Sequence, residues 1–258
     1  MEVHTHTHPP RKKWTHYLWE FLMLFLAVFC GFLAENIREH RVENNRANEY
    51  AKSLITDLYE DTVQLKVIER EGPFSASGID SLRDVYLAGD SDPACNAKLY
   101  WYADFTVDGL EFIQHDATLR QLLSSGNLRY FQNTDLVNNI TYYNWLIGSM
   151  RDIQERDRIT INAAKSLHGK IFDMTTVTKV RSLLYGPGDV LIYTEADKQQ
   201  FLKTTPKLLT AERSILNEYI EWGETRKRRL ASMGELAKQA LSVNKNIIAE
   251  LKPAYSLK

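Results

Sequence analysis

An all-α fold is predicted here: a single N-terminal transmembrane helix continuing into a stalk, followed by an antiparallel helical bundle. Three observations predict it. Residues 21–34, FLMLFLAVFCGFLA, form an uninterrupted apolar run next to the N-terminus. The 258 residues include only 12 Gly and 7 Pro, too few for a turn-rich all-β domain. Beyond the run, long stretches repeat apolar residues every three or four positions, the period of a helix with one buried face.

The run is 14 residues long, and a helix needs roughly 20 to cross a hydrocarbon core of about 30 Å. Its flanks make up the difference. Trp14, Tyr17 and Trp19 stand where an interfacial aromatic belt sits, and Arg11, Lys12 and Lys13 lie just outside them. Extension to Ile37 gives roughly 24 residues, or about 36 Å. The span is assigned to residues 17–36, with 1–16 as a His- and Lys-rich tail. A cleavable signal peptide requires small residues at its cleavage point. Phe32-Leu33-Ala34 and Val28-Phe29-Cys30 do not supply them, and Phe29 also argues against lipidation of Cys30. Basic residues nearly balance across the span, with Arg38, Arg41, Arg46 and Lys52 after it. The consecutive cations on the short N-terminal side favour a cytoplasmic N-terminus and a periplasmic C-terminal domain.

Within the span, Glu20, Ala27, Gly31 and Ala34 fall at spacings of seven, four and three and share one helix face. Small residues at such spacing let two membrane helices approach closely. Self-association through this face is expected, so the first partners are the lipid bilayer and a second copy of the chain.

Residues 37–71 contain no Gly or Pro and read as a helical stalk. The stretch ENIREHRVENNRANE is polar all round. From about residue 50, Tyr50, Leu54, Leu58, Leu65 and Ile68 mark a face that packs against the bundle. Gly72-Pro73 is predicted to end the stalk, and residues 72–258 to form the bundle domain. Residues 77–88 read as a short helix capped by Ser77 or Asp80 and closed by Gly89. Asp92-Pro93 starts another, carrying Leu99, Tyr100, Trp101 and Phe105. In DATLRQLLSSGNLRYFQN, Asp116 is the predicted cap, Leu119, Leu122 and Leu123 the apolar face, and Gly126 or Asn127 the left-handed stop. A long helix follows over 134–173, with Leu136, Ile140, Tyr143, Ile147 and Met150 as its stripe. Gly186-Pro187-Gly188-Asp189 is a turn beside a short extended piece, Val190 to Tyr193, too small for a sheet. A short helix over 195–205 precedes a last long one over 206–252, ending at Pro253. Leu209, Leu216, Tyr219, Leu230, Met233, Ala237, Ala240, Ile247 and Leu251 form its apolar face.

Chemistry-bearing patterns are sparse. The chain has 32 basic and 33 acidic residues and a net charge of -1, which gives no pull toward nucleic acid. It contains no GxSxG, CxxC, HExxH or Walker-type loop, so an enzyme is disfavoured and no cofactor is expected. Cys30 and Cys95 fall on opposite sides of the membrane boundary and cannot pair. His4, His6 and His8 alternate on one side of an extended tail, a weak metal-binding set with no carboxylate or cysteine to complete it. His40, His115 and His168 are scattered singly. Asn139-Ile140-Thr141 fits the glycosylation pattern but falls within a predicted helix face. The aromatic segments suggest a ligand pocket between helices lined by Tyr100, Tyr102, His115, Arg129 and Tyr143, and core packing accounts for the same aromatics. The run Arg226-Lys227-Arg228-Arg229 reads as a solvated helix face with Glu224 paired to Arg228, or as a contact for anionic lipid or a partner.

The opening KKWTHYLWEFLMLFLAVFCGFLAENIREHR, the following EYAKSLITDLYEDT and the later SSGNLRYFQN resemble an uncharacterised family of bacterial single-pass inner-membrane proteins with a His-rich N-terminus. The resemblance implies an inner-membrane location and a helical extramembrane domain, and it implies no activity. Two functions are expected from the whole reading. The first is a membrane-anchored, non-enzymatic interaction or scaffold protein that binds another protein. The second is a sensor or signalling accessory with an aromatic-lined pocket.

Overall fold

The computed structural model describes residues 14–89, 94–187 and 191–255. They contain seven helices: α1 Trp14–Ala88, α2 Cys95–Val107, α3 Ala117–Ser124, α4 Thr134–Ile171, α5 Met174–Leu184, α6 Glu195–Leu202 and α7 Arg213–Ala254. A 3-10 turn spans Asn127–Tyr130. Among the described residues, extended pairing is limited to one isolated antiparallel bridge between Tyr185 and Leu191, so the all-α class holds. The His4, His6 and His8 set and the Asp92-Pro93 helix start lie outside the described residues. The chain divides into two units, Met1–Ala51 and Lys52–Lys258.

In the first unit, α1 carries a candidate membrane span. An 18-residue window of mean hydropathy 2.0 has none of its residues buried. The core helix of a soluble domain would be covered; this segment leaves Phe21, Leu24, Phe25, Val28, Phe29 and Phe32 exposed. Its side chains meet along the helix instead. Phe21, Phe25 and Phe29 stack at i,i+4 with ring centroids 6.3 and 5.9 Å apart, and His16 lies 3.0 Å from Glu20. The small-residue face is open, with nothing within 4 Å of a Cβ placed on Gly31.

In the second unit three long helices carry the core: residues 52–88 of α1, α4 and α7. Side-chain links fix their directions. On α1 and α7, Leu58 meets Asn244, Asp80 meets Lys227, and Arg83 meets Glu224, so these helices are antiparallel. On α4 and α7, Asn139 meets Glu250 and Asp157 meets Arg226, which is antiparallel again. It follows that α1 and α4 run parallel, and the chain between them must travel back along the bundle.

Gly72-Pro73 does not end α1, contrary to expectation; the helix runs through Pro73 to Ala88, so Ser77 and Asp80 are interior helical residues rather than caps. A proline inside a helix costs about 3 kcal/mol by losing a hydrogen bond and crowding the carbonyl four residues back. Tertiary packing outweighs that cost: the buried face continues past the proline with Ala76, Ile79 and Leu82, and Gly72 and Pro73 meet Gly234 on α7.

Smaller differences have local causes. The helix expected over 134–173 stops at Ile171, because Asp173 caps a separate helix, α5, by accepting from the Thr176 amide at 3.1 Å. Helix α7 begins at Arg213, not 206; Leu209 is exposed and its amide donates to the Ile171 carbonyl. It extends to Ala254, one residue beyond Pro253. Helix α6 ends at Leu202 and is closed at its start by a capping box of Thr194 and Asp197. Gly126 is the left-handed stop after α3, with φ of 70°. Asp116 precedes α3 without capping it through its side chain, which pairs with Arg120 instead.

The return path between α2 and α3 is an extended strap, residues 108–116. A backbone that joins neither helix nor sheet needs other hydrogen-bond partners. Asp57, Asp61 and Gln64, spaced four and three apart on one face of α1, provide them. Gln64 accepts from the Ile113 amide at 3.0 Å and donates to its carbonyl at 2.8 Å. Asp61 accepts from the His115 amide at 2.8 Å, and Asp57 from the Thr118 amide at 3.2 Å. From α4, Gln154 donates to the Phe112 carbonyl.

Candidate functional site

Where α2 ends and the strap begins, a cleft of about 660 Å³ opens among α1, α2, α4 and α5. Val67, Val107 and Leu110 give it an apolar side; Glu71, Asp104, Asp108, Glu111, Lys165, Arg181 and Tyr185 supply charge and hydrogen-bonding capacity. Asp104 sits in the last turn of α2 and is 2% exposed. A carboxylate that deep requires a partner, and Arg181 of α5 donates to it from Nε at 2.7 Å. Burial pushes the Asp104 carboxyl up, and the Arg181 charge opposes that rise. For Arg181, burial acts downward, but the charge and hydrogen bond of Asp104 outweigh it and the net shift is upward. Tyr185 is pushed up by burial and then by the charges of Asp108 and Asp104, so it remains a neutral phenol.

Beneath the cleft, Arg226 of α7 is 1% exposed. It donates to Asp157 of α4 at 3.2 Å and to the Phe105 and Asp108 carbonyls. These carbonyls lie at the C-terminal end of α2, where a cation meets the negative end of the helix dipole. One buried guanidinium thus ties α2, α4 and α7 together and fixes the floor on which Asp104 stands.

A second polar cluster centres on Asp61, 1% exposed. Besides the His115 amide, it accepts from the Tyr143 hydroxyl at 2.7 Å and lies 3.2 Å from His115 Nδ1. His115 Nε2 is 3.1 Å from Glu60. Burial pushes the Asp61 carboxyl up, partly offset by the bonds from His115 and Tyr143. The cluster holds the strap in place.

The five residues expected to line one aromatic pocket occupy separate places. His115 and Tyr143 come together on Asp61. The Tyr100 hydroxyl accepts from the Asp173 amide at 2.7 Å and donates to the Lys207 carbonyl at 2.9 Å. Tyr102 lies under the Lys198 ammonium, and Arg129 lies over the neighbouring Tyr130 ring. Tyr100, Trp101 and Phe105 belong to a core cluster with Phe172, Phe201 and Tyr219; Tyr142 and Trp145 stack on each other at the surface. Asn139 donates to Glu250 at 2.8 Å, so its amide serves helix pairing.

The basic run is not a solvated face. Arg226 is buried, and Lys227 pairs with Asp80 at 2.8 Å and Glu224 at 2.9 Å. Arg229 donates to the Arg156 carbonyl and the Thr160 hydroxyl. Glu224 therefore pairs with Lys227 and Arg83 rather than with Arg228.

Asp61, Asp104, Asp157 and Arg181 have no role in the sequence reading, and Arg226 stands there only as one of the basic run, not as a buried ion-pair partner. The register held a signal for three of them. Asp61 fills the gap between Leu58 and Leu65, Arg226 that between Tyr219 and Leu230, and Asp157 continues the stripe of α4 beyond Met150. Among the described residues, no group of three or more His, Cys, Asp or Glu side chains could hold a metal ion. Comparison of the chain with known protein families, with curated proteins and with solved structures returns no match.

Proposed function

We propose that this chain is a membrane-anchored, non-enzymatic interaction or scaffold protein of the bacterial cell envelope. The observation that carries the reading is the apolar segment of α1, exposed along its whole length and too costly to leave in water, since each buried apolar side chain gains about 1.5–3 kcal/mol. The N-terminus is then cytoplasmic and the helical domain extracytoplasmic, where it meets a protein partner. Membrane extraction with alkaline carbonate, together with C-terminal alkaline phosphatase and green fluorescent protein fusions, tests it. Pelleted protein with an active phosphatase fusion is the expected result. A carbonate-soluble chain ends the anchor reading; a fluorescent, phosphatase-negative chain reverses the topology.

The 660 Å³ cleft favours a second reading, a sensor or signalling accessory. Its mixture of carboxylates with Lys165 and Arg181 suits a small zwitterionic or cationic ligand better than an aromatic one. Thermal melting against charged metabolites separates the readings. A saturable shift supports the sensor, and its loss in Arg181→Ala locates the ligand. Silence across the panel with a specifically cross-linked protein partner supports the scaffold.

A further inference from the structure

Along the seam of α4 and α7, on the side bearing the basic run, lies a shallow groove of about 330 Å³ lined by Ile153, Arg156, Thr225, Arg228, Arg229 and Ser232. Its lining contains three guanidinium groups and two hydroxyl-bearing side chains, with no carboxylate. This sets it apart from the larger cleft, where four carboxylates face two cations. It also differs from the remainder of the basic run, in which Arg226 and Lys227 are matched by Asp157, Asp80 and Glu224.

The three arginines are committed to different degrees. Arg229 is anchored: it donates from Nη1 to the Arg156 carbonyl at 2.9 Å and to the Thr160 hydroxyl, with Asp157 at 3.8 Å. Arg156 uses its Nε on the Asp152 carbonyl one turn back, at 3.1 Å, which holds its stem along α4. Arg228 is exposed; its carbonyl accepts from the Ser232 hydroxyl at 2.9 Å, and its guanidinium makes no hydrogen bond or ion pair among the described residues. Three like charges gathered in one groove repel one another unless an anion lies among them, and the planar fork of arginine matches tetrahedral oxyanions in two-point contacts.

We infer that this groove binds a phosphate-type anion, with Arg156 and Arg228 as its principal ligands and Arg229 as a fixed positive wall. The chemistry is that of a phosphate monoester or diester, met either in a free phosphorylated solute or in the headgroup of an anionic phospholipid. The inference does not depend on the anchor reading, since it rests on the second unit alone.

The test uses the full chain in an uncharged detergent at low ionic strength. Inorganic phosphate is titrated calorimetrically, and short-chain phosphatidylglycerol is added in native mass spectrometry with phosphatidylcholine, a zwitterion whose phosphate diester is balanced by its choline ammonium, as the control of no net charge. Saturable binding of one phosphate per chain, weakened about tenfold or more in Arg156→Ala and in Arg228→Ala, supports a site for a free phosphorylated solute. Phosphatidylglycerol adducts that the same substitutions remove, without phosphate binding, support a headgroup site. Arg228→Lys is expected to retain part of the affinity, because it keeps the charge and loses the fork. Both alanine positions are exposed, and circular dichroism of the variants confirms that lost binding is not lost fold. Failure of both probes to bind the wild-type chain, or undiminished binding in both alanine variants, overturns the inference.

Discussion

Gly72 of α1 and Gly234 of α7 meet backbone to backbone. A Cβ placed on Gly72 would lie 2.7 Å from the Leu230 carbonyl oxygen and 3.2 Å from the Gly234 amide nitrogen; one placed on Gly234 would lie 2.7 Å from Pro73 Cδ. Neither neighbour is the free end of a flexible side chain, so the helices must separate to admit a methyl group. Gly72→Ala and Gly234→Ala are each expected to destabilise the domain by about 1–3 kcal/mol. Gly148→Ala is the contrast: nothing lies within 4 Å of its Cβ position, and replacing a mid-helix glycine should stabilise by about 0.5–1 kcal/mol. Thermal midpoints of the three variants in detergent check the opposite signs.

His168 supplies an acid-sensitive term. It packs in the core against Phe172 and Tyr219, with ring centroids 4.8 and 5.9 Å away. Burial, and then the Arg181 charge, push its pKa down from 6.5 to about 4. A histidine that is neutral when folded and protonates readily when unfolded leaves stability intact above about pH 6.5. That stability falls as the pH drops toward 4, by a few kcal/mol in order of magnitude. His168→Phe keeps an aromatic ring and removes the proton. The unfolding midpoints of wild type and variant should therefore diverge between about pH 6.5 and 4, and parallel curves would contradict this account.

The Arg226 and Asp157 pair should behave as a unit. Arg226→Met leaves the buried Asp157 carboxylate with only the longer Arg229 contact at 3.8 Å and the Phe105 and Asp108 carbonyls without their donor, a loss expected to cost about 3–5 kcal/mol. Combining it with Asp157→Leu removes the stranded charge and should restore much of that stability. A double-mutant cycle measured by denaturant unfolding gives the coupling; additive losses would show that the two side chains act separately.

Gly31 leads to a prediction in the membrane. Its open face beside Ala27 and Ala34 allows close helix approach, so Gly31→Ile should weaken self-association, whereas Leu24→Ile should not. A transmembrane dimerisation reporter in which Gly31→Ile leaves the signal unchanged removes this interface.

The fold was legible wherever apolar residues kept helical register. Leu54, Leu58, Leu65 and Ile68 on α1 are buried, as are Leu136, Ile140, Tyr143, Ile147 and Met150 on α4. The same rule hid the polar core. On α7 the positions 219, 223, 226, 230, 233, 237, 240, 244, 247 and 251 alternate steps of four and three and are all buried. Asn244 is missed because a polar residue alone on a stripe looks like an interruption, and Arg226 reads from sequence as one of four consecutive basic residues on a solvated face. Only the partner element reveals either role: Asn244 donates to the Leu58 carbonyl at 2.8 Å, and Arg226 caps α2. The strap was invisible for a related reason, since its hydrogen bonds go to side chains on a distant helix and leave no periodic mark. Proline at 73 misled because helix propensity is local while the glycine crossing that compensates it is tertiary.

The parallel course of α1 and α4 has a bearing on how the protein is made. The Leu58 carbonyl meets Asn244, a partner 186 residues later in the chain, and Leu58, Leu65 and Ile68 belong to a face of α1 whose antiparallel neighbour is α7, the last of the described helices. At translation rates of about 5–20 residues per second, that face waits on the order of 10–40 s for its cover. Closing so long a loop is also slow in itself. A nascent chain therefore presents a greasy, half-finished helix until α7 has been made, and early termination anywhere before α7 should yield a product prone to aggregation or proteolysis rather than a smaller stable domain.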